Sequence, residues 1–511
     1  MKDEKAAAKV EQFMSGLKSS SLIPHPSSLA AWLERALTLS IFLLVVCAPL
    51  TIAGTQGAWL LAGLLWLIRL GVRPKTGPRR TPLDYWLLGF FVLTFFSALL
   101  SYDPDVSIGK LRAASLFTIV YVVAENVTSP RVLRALVIAL VASCAASNVY
   151  TFGVYVIGRG VRIDALAADS PLHTLGLRPG DTVLEVNGQR LRGPEPLARA
   201  LDSRAAPDGG ALTVRLLVHR LEAYPLLDYP RLPLPEGRSA AERLGLVSWS
   251  RGRDVRAAGT YGHYTTYAEV LQLVASLVAG LLVALRRKAS WRGVLLAAAL
   301  AGMCGALILT VTRASWLGLL LSALVIASAG AGRRTLLIAA GLALPLILGA
   351  LFVLQQKRQV GFIDPQEGST AWRLTVWSEA VGVLVSEPRH LLVGVGRDTL
   401  KRHWREWGMF DGGRLPWGHL HSTPLQIAFE RGLPALLVWL GLLAAYARML
   451  WRLARRGGGG GEESLGWVER GLALGALGGT VGFFTSGLVH YNLGDSEVVM
   501  VFYLVMGLAL A

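Results

Sequence analysis

The sequence predicts an all-α polytopic membrane protein of about twelve transmembrane helices carrying one small inserted α/β domain. Three observations predict it. Of 511 residues, 53% are hydrophobic and only 17% charged, where a soluble chain would carry about a quarter charged residues. Apolar runs recur at 36–53, 87–100, 132–157 and 336–354, each near the ~20 residues that a helix needs to cross a bilayer core. Residues 158–222 then break this pattern with alternating, turn-rich sequence.

Taken in order, residues 1–34 hold Lys2, Lys5, Lys9 and Lys18 but no short apolar stretch with a cleavage site. They read as a cytoplasmic tail ahead of a retained first span. Five spans are expected within 35–157, at 35–53, 57–72, 83–101, 111–126 and 132–157. Four follow within 262–354, at 262–285, 292–311, 314–331 and 334–354, and three within 422–511, at 422–449, 467–490 and 496–511. With the N-terminus inside, the inner loops are Arg69 to Arg80, Arg286-Arg287-Lys288 with Arg292, Arg333-Arg334, and Arg448 to Arg456. All are basic, as retention on the cytoplasmic side requires. The net charge of +17 is thus explained without nucleic acid. Cys47, Cys144 and Cys304 lie in apolar segments, which argues against a disulfide framework or a metal site. The run Gly457 to Gly461 reads as a flexible linker.

Two large segments face outward. In the first, Ser170-Pro171, Gly176-Leu177, Gly180-Asp181 and Val186-Asn187-Gly188 precede the alternating stretch from Leu212 to Val218. Alternation around an Asn-Gly turn predicts a small sheet with hairpins. These residues, in this order, resemble a PDZ domain over 158–222. The family's carboxylate-binding Gly-Leu-Gly-Phe loop is not recognisable. The likeness implies binding of an extended protein partner by strand addition; a spacer is the alternative. Residues 223–261, rich in Pro and Arg, read as a linker back to the membrane.

The second segment, 355–421, is rich in Trp, Arg and Gly and ends in Gly418-His419-Leu420-His421-Ser422. Trp here can anchor at lipid headgroups, but outward arginines are not explained by cytoplasmic retention. Arg256 stands just before a span, and Arg313 sits between two apolar runs in Thr312-Arg313-Ala314-Ser315-Trp316. Arg373 opens an amphipathic stretch that leads to Gly394-Val395-Gly396-Arg397. A membrane-edge arginine is costly unless it serves a site or snorkels to headgroups. Several guanidiniums beside one imidazole suit a lipid-linked diphosphate: the guanidiniums hold phosphate oxygens, and the imidazole takes a hydroxyl proton. His421 is favoured over His419 on spacing, and Ser486 with His490 reads as helix packing.

The ordered set Arg256, Thr260-Tyr261, Arg313, Arg373, Gly394-Val395-Gly396 and His421 with Leu425-Gln426 and Gly432-Leu433 resembles the O-antigen ligase family, which also includes O-antigen polymerases and bacterial O-linked oligosaccharyltransferases. That resemblance implies metal-independent, inverting glycan transfer from undecaprenyl diphosphate, without a cofactor, at the periplasmic face of the bacterial inner membrane. It assigns the essential histidine to His421 and the diphosphate-binding arginines to Arg256, Arg313 and Arg373. His419, Ser422 and Arg397 are supporting candidates. Ser422 stands where Asn is common and Ala435 where Gly is usual. The acceptor is expected to be lipid A-core, with a growing polymer or a protein hydroxyl as alternatives. Lipids are the expected surroundings, and no nucleic acid partner is expected. A transporter, from another class, would show mid-bilayer charge or internal symmetry, and neither is legible. No His-Glu-x-x-His motif supports a membrane protease.

Overall fold

The computed structural model describes residues 26–72, 80–205, 213–220, 226–253, 255–330, 368–456 and 465–511. The span expected at 334–354, residues 1–25 of the tail, residues 355–367 of the second outward segment and the glycine run lie outside the described residues. The helices are α1 (Pro26–Cys47), α2 (Ile52–Val72) and α3 (Asp84–Leu99). An interrupted stretch, Pro104–Asn126, follows and ends in α4 (Thr118–Asn126). Then come α5 (Pro130–Ile157), α6 (Pro194–Leu201), α7 (Tyr264–Ala284), α8 (Trp291–Leu309) and α9 (Arg313–Gly330). Last are α10 (Gly368–Ser386), α11 (Thr423–Arg456), α12 (Trp467–Gly487) and α13 (Ser496–Leu510).

The protein is therefore a mostly helical membrane protein with a small antiparallel sheet domain, as the sequence predicts. The expected count of twelve spans is not confirmed, one of them, at 334–354, lying outside the described residues. Among the described residues, seven stretches are long and apolar enough to cross a membrane. Helices α3 and α13 are apolar but short, and glycines dilute the hydropathy of α12.

The chain divides into two compact units. One holds the chain up to Cys144, Glu269–Ala301 and everything from Arg313 onward; the other holds Ala145–Ala268 and Gly302–Thr312. The first unit is organised around α12, whose small residues let neighbouring backbones approach closely, as membrane helix packing favours. A Cβ added at Gly475 would lie 2.4 Å from the Leu277 Cα of α7. On another side of α12, Ser322 of α9 donates to the Gly478 carbonyl at 2.6 Å, and Gln272 of α7 donates to the Ser322 hydroxyl at 3.0 Å. Helix α11 is two helices merged across Gly432, whose φ is +80° and whose added Cβ would meet the Leu392 carbonyl oxygen at 2.3 Å. A short helix therefore runs from Thr423 to Arg431, and Pro434 lies in the first turn of the long one, where a missing N–H costs little.

The second unit contains the sheet, formed by β1 (Arg159–Leu166), β2 (Thr182–Val186), β3 (Gln189–Arg190), β4 (Thr213–His219), β5 (Leu226–Pro230) and β6 (Leu246–Gly252). The order is β5-β4-β2-β1-β6, with β3 hairpinned to β2. That hairpin turns on Asn187 and Gly188, both at positive φ, the geometry that selects Asn-Gly. Alternate residues such as Val161, Ile163, Val183, Val214 and Leu216 meet Leu197 and Leu201 of α6 in one core. The Gly-Asp step is structural: Asp181 accepts from the Arg178 N–H at 2.9 Å and from Arg220 Nε at 2.7 Å. The sheet extends beyond residue 222, into the stretch read as a linker, because β5 and β6 are its two outer strands. Prolines argue against a central strand, but the edge strand β5 accommodates Pro230 at its end.

Gly475→Leu should force α7 and α12 apart and lower stability by about 1–3 kcal/mol. Thermal unfolding in detergent checks this, and an unshifted transition would show that the close approach is dispensable.

Candidate functional site

The site is built in the first unit, where α10 and the start of α11 hold a loop between them. Two indoles of α10 stitch that loop down: Trp372 Nε1 donates to the Pro416 carbonyl at 3.1 Å, and Trp377 Nε1 to the Leu420 carbonyl at 2.7 Å. From the other side, Gln426 reaches back past its helix start, its Oε1 accepting from the Leu420 N–H at 2.7 Å. Met409, Phe410, Leu420 and Phe429 form the apolar floor with Val376 and Ala380 of α10. His421 emerges from this frame with φ +49°. A non-glycine residue in that region is uncommon, and such strained positions cluster at functional sites. Its N–H donates to His419 Nδ1 at 3.2 Å, the two rings lie 4.0 Å apart, and the Trp372 ring meets His421 edge-on at 5.0 Å. Because His419 Nδ1 accepts here, this contact requires the tautomer protonated on Nε2.

Behind the histidines lies a charged network that the sequence analysis missed. Glu430 is only 3% exposed. Its carboxylate receives Gln426 Nε2 at 2.9 Å, the Asp398 N–H at 3.1 Å and the Tyr491 hydroxyl at 3.1 Å, with Arg431 at 3.6 Å. The Glu430 carbonyl accepts from the Gly396 N–H at 3.0 Å and from Ser97 at 2.8 Å. The Gly394-Val395-Gly396 step thus exists to lay one backbone against another. A Cβ at Gly396 would lie 1.8 Å from the Ser101 hydroxyl oxygen. Burial, and then Glu430, push the Tyr491 hydroxyl up to about 12 against the opposing pull of Arg431 and Arg397, so Tyr491 remains a donor. The Tyr491 ring faces His419 at 5.7 Å.

A second pair stands beside it. The buried Glu269 of α7 holds His490 Nδ1 at 3.1 Å. The Thr423 hydroxyl lies 3.0 Å from the His490 carbonyl and 2.8 Å from Asn492 Oδ1. Ser486 contacts the Phe483 carbonyl and Asn492 Nδ2, which supports a packing role for it.

The expected site residues distribute as follows. His421, His419 and Ser422 come together, Ser422 buried with its carbonyl accepting from the Gln426 N–H at 2.8 Å. Arg397 is buried against the Lys110 carbonyl at 3.0 Å and acts electrostatically on Tyr491, so it joins the network. Arg313 opens α9, which runs antiparallel to α12. Gly318 packs on Gly482 and Ser322 on Gly478, a step of four on each helix, so stepping back to Arg313 reaches the level of Gly487, just before His490. Arg373 follows Trp372 on α10 and donates to the Ser369 carbonyl at 2.9 Å. Arg256 belongs to the second unit, where its guanidinium lies 4.3 Å over the Tyr264 ring.

Glu430→Ala would leave the buried Arg431 without its carboxylate and three donors without an acceptor, a loss of about 3–5 kcal/mol. Glu430→Gln keeps an acceptor and should lose less. Melting temperatures of the purified variants decide this, and equal values for all three proteins would contradict the network.

Residues 298–440 match the family model described as O-antigen ligase, and residues 162–207 match a PDZ domain model. The first match begins in α8 and takes in α9, α10, the His419–His421 loop and Glu430; the second covers most of β1, then β2, β3 and α6. No individual curated protein matches the chain. The ligase match supports glycan transfer in O-antigen processing, with a lipid-linked glycan donor and an acceptor. The chain is thus a multi-pass membrane protein in which one segment matches an O-antigen ligase family model and another matches a PDZ domain model.

Proposed function

We propose that the protein joins a glycan, carried on undecaprenyl diphosphate, to an acceptor hydroxyl at the periplasmic face of the bacterial inner membrane. The acceptor favoured is lipid A-core, which makes the reaction an O-antigen ligation. The observation that carries this reading is the rigid frame around His421, set within the segment that matches the ligase family. The strongly basic stretch Arg448 to Arg456 lies at the far end of α11 from His421, which supports placing the histidine outside.

In this mechanism His421 removes the proton of the acceptor hydroxyl as its oxygen attacks the anomeric carbon. The bond from that carbon to the diphosphate breaks with inversion, and the lipid diphosphate departs with the electron pair. Arg313 and Arg373 hold its oxygens and spread the developing charge. Arg256 is given the same role on its place in the family order. No metal is needed where guanidiniums supply the positive charge. Other histidines of the region are engaged structurally. His390 Nδ1 lies 2.6 Å from the Val383 carbonyl and its Nε2 2.8 Å from the Tyr102 hydroxyl. His403 lies between Asp103 and Glu406.

In proteoliposomes supplied with a lipid-linked glycan and lipid A-core, His421→Ala should lose at least about a hundred-fold in transfer, the usual worth of a positioned base, while melting like wild type. Undiminished product would remove the assignment. Arg313→Lys should also transfer poorly, since an ammonium lacks the bidentate fork; wild-type turnover there would make Arg313 structural. Surface glycolipid from a deletion strain tests the acceptor. Chains made but not joined to lipid A-core support ligation, single repeat units on the core indicate a polymerase, and normal glycolipid with unglycosylated protein indicates a protein acceptor.

A further inference from the structure

In the first unit, His390 and His403 each engage both ring nitrogens with protein groups. His490 engages one. Its Nδ1 lies 3.1 Å from Glu269 Oε1, while its Nε2 bonds to no group among the described residues and keeps access to the surface. The His490 side chain is 15% exposed and that of Glu269 only 2%, so the ring is gripped from the buried side and open on the other. The turn that carries His490 is fixed without this pair. The buried Thr423 hydroxyl lies within bonding distance of the His490 carbonyl and Asn492 Oδ1, and Asn492 Nδ2 donates to the Phe483 carbonyl at 2.7 Å. A carboxyl buried in an apolar helix is costly and marks a function by default, and the fold of this turn does not call for one. The same turn adjoins the candidate base: Thr423 is two residues beyond His421, and the Tyr491 ring faces His419 at 5.7 Å.

Glu269 fixes the tautomer and orientation of the ring, which is how a histidine is prepared to meet a substrate. An open ring nitrogen accepts or donates one hydrogen bond, and a hydroxyl can answer in either sense. We infer that His490 Nε2 binds a sugar hydroxyl, with Glu269 as its positioning residue. The site then presents two imidazoles, His421 to the reacting hydroxyl and His490 to a hydroxyl that is bound but takes no part in the bond change. That the sugar belongs to a glycan being transferred rests on the function proposed above. Both the lipid-linked donor and the acceptor offer such hydroxyls.

Full-length protein in nanodiscs, titrated calorimetrically with a lipid-diphosphate-linked glycan and, separately, with core oligosaccharide freed of lipid A, tests this. Two variants separate the ring nitrogens, because an asparagine amide reaches the Nδ1 position and a glutamine amide the Nε2 position. His490→Asn keeps a donor for Glu269 and should melt like wild type, yet bind one probe about ten-fold more weakly, the effect of leaving one hydrogen-bond partner unmet. His490→Gln keeps a polar atom where Nε2 stood and should recover most of that affinity. The probe that responds identifies the sugar as the donor's or the acceptor's. Unchanged affinity for both probes in His490→Asn, or no binding of either probe by wild type, overturns the inference. Weakened binding in a folded His490→Gln overturns it too, whatever the asparagine variant does. Transfer in proteoliposomes keeps this apart from the ligase reading. Product from wild type, with affinities unchanged in the variants, removes the role of His490 alone. Bound probes without product from wild type remove ligation and leave a glycan-binding site at His490.

Discussion

A single buried carboxylate governs the arrangement around the His419–His421 loop in the first unit. Glu430 is almost wholly removed from solvent, yet it gathers donors from three directions: Gln426 from its own helix, the Asp398 backbone from the loop after Gly396, and Tyr491 from the turn before α13. An ion buried this deeply persists only when it is fully hydrogen-bonded and balanced by charge. Arg431 supplies the balance, and the same guanidinium lies over the Phe90 ring at 5.2 Å. Each partner is therefore constrained by the others, and a polar network so satisfied is stiff.

That stiffness reaches the histidines by short paths. Gln426 links the carboxylate to the backbone of Leu420, the residue between His419 and His421. Tyr491 links it to the face of His419. Trp372 and Trp377 fix the opposite side of the loop through their indole N–H groups. A base must be held within a fraction of an ångström to act on a hydroxyl, and rigid supports do this better than the loop alone. The left-handed backbone of His421 costs about 1–3 kcal/mol, a strain that only such an over-determined frame can sustain.

Much of this was legible in the residues. The apolar runs announced the membrane class, the Asn187-Gly188 turn announced the hairpin, and the polar cluster at His419–His421 marked the candidate site. What escaped reading around the candidate site shares one cause: polar groups lie inside otherwise apolar stretches. Glu430 and Arg431 lie within the span drawn at 422–449, and Glu269 lies within that drawn at 262–285. Each was available as a signal, since ionisable residues inside spans are rare and functional by default. Their partners were not, because Tyr491, Asp398 and His490 are distant in sequence and meet them only through helix packing. The outer strands β5 and β6 escaped for another reason: prolines and arginines around them suggest a linker, whereas an edge strand tolerates both. The place of Arg256 in a different unit from His421 has no counterpart in linear order.

The central claim is that an imidazole in this frame takes the acceptor's proton. The pH dependence of kcat for glycan transfer in proteoliposomes addresses it most directly. The account predicts an acidic limb governed by a single ionisation, along which transfer falls ten-fold per pH unit as the base becomes protonated. A rate that stays level from the neutral region far into acid, in protein that remains folded, would contradict it.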